Sequence, residues 1–198
     1  MGNIREPQKV NSIEKKNRII QAGLTAFTNK GYYNTTTAEI AKIAGVSTGI
    51  VYSYFKDKKD VFLHAIDLYF EQLYNPVIEK IQTMSFDNLE NALKSIIDIT
   101  INSHSKNASS HEEFVAMSHL DEDVHNRFMV AEHKLTDIVA TTLKNNGINT
   151  NNMNEKIHLS YNLIESYCHE YVFHKHDFID YEKMKVSTIK IILNLIKD

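Results

Sequence analysis

The chain has 198 residues, a formal net charge of −3 and 42% hydrophobic residues, which is typical of a globular protein with one or two hydrophobic cores. The single cysteine, Cys168, excludes a disulfide within the chain and favours a reducing, cytoplasmic location. The N-terminus lacks the apolar segment of a signal peptide, and the longest strongly apolar stretch, Ile189 to Ile196, is too short to cross a bilayer. We therefore expect a cytoplasmic protein with no membrane partner.

The modest net charge hides an asymmetry along the chain. Residues 1–65 contain ten Lys and Arg against five Asp and Glu, whereas residues 66–198 contain twelve against twenty. A basic N-terminal third on an acidic remainder suggests a polyanion as partner for that third alone. An unevenly charged surface without such a partner explains the count equally well, so charge alone does not decide.

Apolar residues recur at helical spacing along the whole chain, and the two prolines and six glycines leave few breakers. No stretch shows the alternation of a strand. The sequence therefore predicts an all-α protein of about nine helices. Residues 1–11 are polar and aperiodic and are predicted to form a flexible arm. We predict two domains, residues 1–57 and 58–198.

Local signals place the first four helices. The first runs from about Ile13 to Lys30, and Gly31 is expected to end it in a left-handed conformation. A capping box from Thr36 to Glu39 opens the second helix, and Ser47 caps a third, which extends to about Phe55. The fourth is expected to start at a cap on Asp57 and to kink or end at Pro76. Later helices are predicted over 86–104, 110–119, 121–145, 152–174 and 180–197.

Residues 37–55 have the pattern of a helix-turn-helix unit. Ala41 is small enough for the third helix to cross close to the second, and Gly45 suits the tight turn between them. Val46 and Val51 are expected to be buried and to fix the crossing angle. Such a unit presents the N-terminal end of its second helix to the major groove of DNA.

The third helix has features that a purely structural helix would not need. We expect its polar and small residues to be exposed or half-exposed: Thr48, Gly49, Ile50, Tyr52, Ser53 and Tyr54. A glycine inside a helix costs about 1 kcal/mol relative to alanine, so Gly49 suggests close approach of another surface. Three cations follow at Lys56, Lys58 and Lys59. This arrangement favours contact with the phosphates and bases of DNA.

The stretch 35–62, from Thr-Thr-Thr-Ala-Glu-Ile-Ala to Lys-Lys-Asp-Val-Phe, resembles the signature of the tetracycline-repressor (TetR) family, and close matching extends over 19–66. The resemblance implies phosphate contacts from Thr36, Ser47, Tyr52, Tyr54 and Lys58. It implies base-facing positions at Thr48, Gly49 and Ile50. Ser53 departs from the larger residue common at its position in the family. Residues beyond about 66 match only in length and helical character, and in the family that half dimerises and binds a small effector.

Candidates for effector binding are apolar and polar side chains of the later helices. The set comprises Tyr69, Phe70, Leu73, Phe114, Met117, Phe128, Tyr161, Asn162, Glu165 and His169. Any of the apolar members could equally be plain core. His158, Asn162, Glu165 and His169 share a helix face, yet a polar pocket wall or a solvated face explains them better than a metal site does. No catalytic residues, metal site or cofactor are predicted.

The last helix is apolar nearly all round, so one face is expected to pack on a partner copy, with Ile192 on that face.

Together these observations predict a homodimeric regulator that binds a near-palindromic double-stranded DNA operator and is released by a small-molecule effector, most simply as a repressor. Two alternatives are a helical small-molecule-binding protein without DNA binding, and an enzyme on a helical bundle. The acidic second half slightly favours a cationic or amphipathic effector.

Overall fold

The computed structural model describes residues 10–197, which form nine α-helices and no strand. The fold class and the number of helices are as predicted. The helices are α1 (Val10–Asn34), α2 (Thr37–Ala44), α3 (Thr48–Tyr54), α4 (Lys58–Thr83), α5 (Leu89–Lys106), α6 (Ala108–Ser118), α7 (Glu122–Asn145), α8 (Met153–Phe173) and α9 (Tyr181–Lys197). Val10 and Asn11 belong to α1, so the predicted arm is wrong for these two residues. Residues 1–9 of that arm lie outside the described residues.

Gly31 interrupts α1 in a way that differs from the predicted helix end. Its φ is 76°, as a glycine allows, but its ψ of 164° is extended rather than left-handed helical, and one further turn follows to Asn34. The interruption frees the backbone N–H of Tyr32. Glu113 of α6 accepts a hydrogen bond from this N–H at 2.7 Å. A carboxylate that is distant in sequence therefore stabilises the interruption at Gly31, where the sequence pattern predicted the end of the helix.

Pro76 does not end α4, which continues to Thr83. A proline inside a helix removes one hydrogen bond and costs about 3 kcal/mol. Residues on both sides of it, including Leu73, Tyr74, Val77 and Ile81, are buried. Burial of each such side chain is worth about 1.5–3 kcal/mol, so packing on both sides offsets the cost and keeps the helix continuous.

The chain divides into two compact units. The first unit runs through Glu71 and includes Ser109–Met129, and the second unit comprises Gln72–Ala108 and the residues from Val130 onward. Thus α4 and α7 each contribute residues to both units. The predicted division at residue 57 concerns function and stays a prediction. By contacts alone, the first half of α4 groups with α1, α2 and α3.

An aromatic cluster fills the core of the first unit. Phe62 of α4 packs edge-on against Phe27 of α1 and Phe114 of α6, with ring centroids 4.9 Å and 5.4 Å away. Tyr69 continues the cluster, 5.1 Å from Phe114. Aromatic pairs in such edge-to-face geometry add about 0.5–1.5 kcal/mol beyond their burial. The cluster therefore fixes α1, the base of the helix-turn-helix, on α4 and α6.

Helices α5, α8 and α9 form the core of the second unit. Five of their side chains are buried together: Ile97 of α5, Tyr167 and Cys168 of α8, and Ile189 and Ile192 of α9. Cys168 is a fully buried core residue whose sulfur lies against the Ile97 carbonyl, and this burial raises the pKa of its thiol far above the ordinary value. A buried thiol of this kind is chemically inert.

Candidate nucleic-acid interface

The helix-turn-helix forms as its sequence predicts. The Thr36 hydroxyl accepts a hydrogen bond from the Glu39 backbone N–H, and the Glu39 carboxylate accepts one from the Thr36 N–H, which completes the capping box. A hydrogen bond from Lys30, together with those from Thr36, lowers the pKa of Glu39 to about 2. Glu39 therefore stays ionised at neutral pH, where its charge also suits the N-terminus of α2.

The turn between α2 and α3 depends on a left-handed glycine. Gly45 has φ 66° and ψ 39°, and the Val46 N–H donates to the Ala41 carbonyl at 3.0 Å. A Cβ at Gly45 would meet nothing within 4 Å, so the glycine is required for its backbone conformation and not for space. Val51 is buried, as predicted, whereas Val46 is only half-buried, and the small Ala41 is also buried.

The N-terminal part of α3 forms an exposed surface. Ser47 precedes α3 with extended backbone and an exposed side chain that makes no capping hydrogen bond, which differs from the predicted cap. Thr48 and Ile50 are half-buried, and Gly49 is exposed. Apart from its chain neighbours and its own helix backbone, a Cβ built at Gly49 would meet only the Ser47 hydroxyl oxygen among the described residues, at 4.0 Å. Another molecule can therefore approach the backbone closely at this position.

Tyr52 and Thr37 place two hydroxyls side by side on the same surface. Tyr52 is 51% exposed, and its hydroxyl lies 3.0 Å from the Thr37 hydroxyl. The contact joins α3 to the N-terminus of α2 and holds the tyrosine ring in one orientation. Thr37 was not among the predicted site residues. Its position in the first turn of α2, at helical spacing from Ala41, is a signal that could have placed it there.

Tyr54 and Ser53 are less available than the sequence predicted. Tyr54 is only 7% exposed, and its hydroxyl lies 2.7 Å from the Ser12 hydroxyl of α1. The expectation of an exposed or half-exposed Tyr54 is therefore wrong, because α1 covers this face of α3. Ser53 is half-buried and donates to the Ile50 carbonyl of its own helix at 2.7 Å. The DNA contacts predicted for both residues stay predictions.

Lys58 has a structural position at the start of α4. Its ammonium donates to the carbonyls of Tyr32 and Thr35 at 2.8 Å and 2.9 Å, and it lies 4.3 Å from the centroid of the Tyr32 ring. A cation at the carbonyl end of a helix is favourable, since the unpaired carbonyls carry partial negative charge. Lys58 thus joins α4 to the end of α1, whatever it contacts in DNA.

Other lysines near the helix-turn-helix are either ion-paired or exposed to solvent. Lys59 forms ion pairs with Asp121 at 2.9 Å and Asp123 at 2.6 Å, and their hydrogen bonds raise the pKa of its ammonium. Lys42 and Lys56 are exposed. Two carboxylates therefore compensate the charge of Lys59, whereas Lys42 and Lys56 present theirs to solvent.

The predicted effector residues do not line a single cavity. Tyr69, Phe70, Phe114 and Met117 are buried in the first unit, and Phe128 packs edge-on against Phe70 at 4.7 Å between ring centroids. The Tyr69 hydroxyl is hydrogen-bonded to Nδ1 of His111 on α6. These five residues contribute to core packing in that unit. Their role in effector binding stays a prediction.

Three other candidates line a cavity inside the second unit. It has a volume of about 120 Å³, and its walls come from α4, α5, α7, α8 and α9 and from the loop before α8. Leu73, Tyr161 and Glu165 contribute to its lining. The Tyr161 and Tyr74 hydroxyls are hydrogen-bonded to each other at 2.9 Å, and burial followed by the charge of Glu165 raises the pKa of both phenols. Both tyrosines therefore stay neutral at the cavity wall.

Glu165 is paired with a buried histidine. His104 of α5 donates from Nδ1 to the Thr100 carbonyl at 2.9 Å, and its Nε2 lies 3.0 Å from a Glu165 oxygen. Burial alone would lower the pKa of His104. The hydrogen bond and negative charge of Glu165, with the Thr100 carbonyl, outweigh burial and raise the pKa above its ordinary value. Glu165 is thus hydrogen-bonded to His104 and is not an isolated carboxylate at the cavity wall.

Asn162 and His169 lie outside this cavity. Asn162 is exposed on α8, and His169 is half-buried beside a shallow surface depression that Glu165 also lines. Helix periodicity placed Asn162 on the same face as Glu165, but the cavity lies on only one side of that face.

For α9, Ile192 is fully buried in the core of its own unit, so its predicted place on a partner face is wrong. Ile191, which is 51% exposed, occupies the outward position.

No helix in residues 10–197 is long and apolar enough to span a bilayer. Residues 19–65 match the sequence profile of the family described as "Bacterial regulatory proteins, tetR family". This range contains α2, α3 and most of α1, together with the first turns of α4. The match thus covers the whole helix-turn-helix.

Two bacterial transcriptional regulators match part of the chain in sequence. The chain is 39% identical over 64 residues to the HTH-type transcriptional regulator HbdR of Aromatoleum sp. (strain CIB), covering 30% of this chain and 28% of HbdR. It is 32% identical over 84 residues to the HTH-type transcriptional regulator BetI of Escherichia coli, covering 42% of this chain and 43% of BetI. The chain thus spans less than half the length of these relatives.

The whole fold also has a solved counterpart. A crystal structure of a TetR-family transcriptional regulator from Mesorhizobium loti superposes with a TM-score of 0.75 over 96% of this chain and 98% of that chain, at 19% sequence identity. At that identity the likeness concerns the fold alone. The profile match, the bacterial relatives and the helix arrangement agree, and the helix-turn-helix segment, residues 19–65, belongs to the tetR family of bacterial regulatory proteins.

Proposed function

We propose that this protein is a DNA-binding transcriptional regulator that acts as a homodimer on a near-palindromic operator and is released from it by a small molecule. The observation that supports this most directly is the exposed N-terminal surface of α3, with Ser47, Gly49 and Tyr52 beside an intact capping box. The relatives with the same domain are transcriptional regulators. A repressor that meets DNA in the cytoplasm, without catalytic activity, is the simplest form of the proposal.

The two tyrosines of α3 give a matched test of DNA contact. Tyr52→Phe removes an exposed hydroxyl, whereas Tyr54→Phe removes a hydroxyl that is buried against Ser12. A net hydrogen bond is worth about 0.5–1.5 kcal/mol, so its loss in both subunits should weaken operator binding by about tenfold for Tyr52→Phe. Because the Tyr54 hydroxyl is buried against Ser12, we expect Tyr54→Phe to weaken operator binding less than Tyr52→Phe does; an equal loss would support the phosphate contact predicted for Tyr54.

The assay is a gel shift or fluorescence anisotropy titration on the DNA upstream of the protein's own gene. Circular dichroism checks that both variants fold. Equal affinity of the wild type and Tyr52→Phe would exclude the Tyr52 hydroxyl from the interface. The alternative function, a helical small-molecule-binding protein that does not bind DNA, predicts no operator binding by any of the three proteins.

Dimerisation is proposed through exposed apolar residues of α8 and α9. Leu159 and Ile191 are each 51% exposed, and Val186 also lies on the outer side of α9. A single recognition helix buries too little surface for specific affinity, so two subunits are needed. Two-fold symmetric proteins read two-fold sites, which is why the operator is proposed to be near-palindromic.

Ile191→Glu tests this interface, with exposed Lys190→Glu on the same helix as a control that also introduces a carboxylate. A charge at a buried apolar interface is costly, so Ile191→Glu should sediment as a monomer and lose operator binding while its helicity survives. Ile192→Glu is unsuitable, because a charge there would enter the core of the subunit itself. A dimeric Ile191→Glu variant would place the interface elsewhere.

A further inference from the structure

The two ends of the cavity in the second unit differ in charge balance. At one end the phenols of Tyr74 and Tyr161 lie with Glu165, whose charge is compensated by His104. At the other end the lining includes Lys156 in the first turns of α8, and Thr150 in the preceding loop. Both of these residues are half-buried.

Lys156 is a cation without an acidic partner. Its ammonium donates to the Thr150 hydroxyl, and no carboxylate of the described residues forms an ion pair with it. An ammonium has three donors, and Thr150 accepts only one of them. The N-terminus of α8 adds partial positive charge at the same end. Glu155, which precedes Lys156, is exposed and does not line the cavity. This end therefore favours an anionic group.

The wall between the two ends is apolar. It is lined by six aliphatic side chains: Val77 and Ile81 of α4, Ile96 of α5, Val139 of α7, and Ile157 and Ile164 of α8. Lys156 and Glu165 are nine residues apart on one helix, which corresponds to about 14 Å along its axis. An extended chain of single bonds advances roughly 1.2 Å per bond, so about eleven chain atoms span this distance.

The volume agrees with this length. A single water molecule needs about 10–15 Å³ of cavity on the same measure, so the cavity of about 120 Å³ has room for about ten groups the size of a water or a methylene. The walls exclude a bulky, highly polar ligand, because its polar groups would be buried without partners.

We infer that this cavity binds a monoanionic amphiphile with an unbranched apolar chain of about ten atoms, whose carboxylate lies against Lys156 and Thr150. The inference rests on the proposed function, since it names the chemical class of the effector. The acidic second half of the chain favoured a cationic or amphipathic effector. The inferred ligand keeps the amphipathic character but reverses the charge, because Glu165 is paired with His104 and Lys156 lines the cavity.

Calorimetric titration of the full-length protein with decanoate tests the ligand class without DNA. Each buried methylene contributes about 0.8 kcal/mol, so the dissociation constant should fall by about tenfold for every two methylenes from hexanoate to decanoate. It should stop falling at tetradecanoate, which exceeds the cavity. Decyltrimethylammonium has a tail of the same length with a cationic head. If it binds more tightly than decanoate, the inference is overturned.

Lys156→Met is the matching variant, because methionine keeps the apolar stem and removes the charge. We expect it to weaken decanoate binding by about tenfold and to leave 1-decanol binding unchanged. Lys144→Met, at an exposed position of α7 outside the cavity, should change neither. Unchanged decanoate affinity in Lys156→Met would refute the assignment of the carboxylate.

A second variant tests the position of the chain independently of Lys156. Val139→Phe adds volume inside the void, so the preferred ligand should become shorter, with octanoate or hexanoate binding better than decanoate. An unchanged preference would mean that the chain lies elsewhere. Operator binding by gel shift is measured separately. Decanoate binding without an effect on the operator would contradict only the proposed regulation, whereas operator binding without decanoate binding would contradict only the ligand class.

Discussion

Lys58 gives the sharpest test of how the helix-turn-helix is held together. In Lys58→Met the apolar stem remains, but the Tyr32 and Thr35 carbonyls lose their donor and the Tyr32 ring loses its cation. Two hydrogen bonds at about 1–1.5 kcal/mol each and a cation–π contact at about 0.5–1 kcal/mol give a loss of about 2–4 kcal/mol. We therefore expect Lys58→Met to unfold much more readily than the wild type.

The assay is urea unfolding followed by circular dichroism. With a slope of about 2 kcal/mol per molar urea, the midpoint should fall by about 1–2 M. Lys56→Met is the control, because Lys56 is an exposed cation two positions away and exposed substitutions change stability by about 0.5 kcal/mol or less. Equal midpoints for Lys58→Met and the wild type would refute the structural role of the ammonium.

The same variants address DNA contact. If Lys58 also contacts a phosphate in each subunit of a dimer, its loss should flatten the dependence of log K on log salt by about 1.8. The measurement is made at a temperature where Lys58→Met is folded. An unchanged slope together with reduced stability would assign Lys58 to the fold alone.

Two further predictions concern packing and pH. In Gly23→Ala the new Cβ would lie 2.7 Å from Cγ1 of Val61, so we expect the free energy of unfolding in urea to fall by about 1 kcal/mol despite alanine's better helix propensity. The double variant with Val61→Ala should recover most of this loss. A Gly23→Ala variant more stable than the wild type would contradict the close approach. The raised pKa of His104 means that its pairing with Glu165 stabilises the native state fully below the ordinary pKa of 6.5 and that this contribution is lost as pH rises through the folded-state pKa. Relative to Glu165→Gln, the wild type should therefore lose free energy of unfolding as pH rises from 6.5 through the folded-state pKa of His104. Parallel plots of unfolding free energy against pH for the two proteins would show that protonation of His104 does not stabilise the pair.

The sequence by itself determined the secondary structure and the helix-turn-helix. Helical spacing of apolar residues, the capping box at Thr36 and the glycine at position 45 are local signals, because each acts within one or two helical turns. These signals therefore located the nine helices of residues 10–197, including α3 of the helix-turn-helix. The family resemblance is also contained in this short local stretch, so it could be found without a structure.

Tertiary packing decided what each side chain does. Periodicity gives the face of a helix but not which neighbour covers it, so the sequence could not show that α1 buries Tyr54 or that α9 turns Ile192 inward and Ile191 outward. Glu113, which binds the Tyr32 N–H, is 81 positions away from it along the chain. The cavity between α4, α5, α7, α8 and α9 exists only where these helices leave a gap, and such gaps depend on volumes brought together from distant parts of the chain.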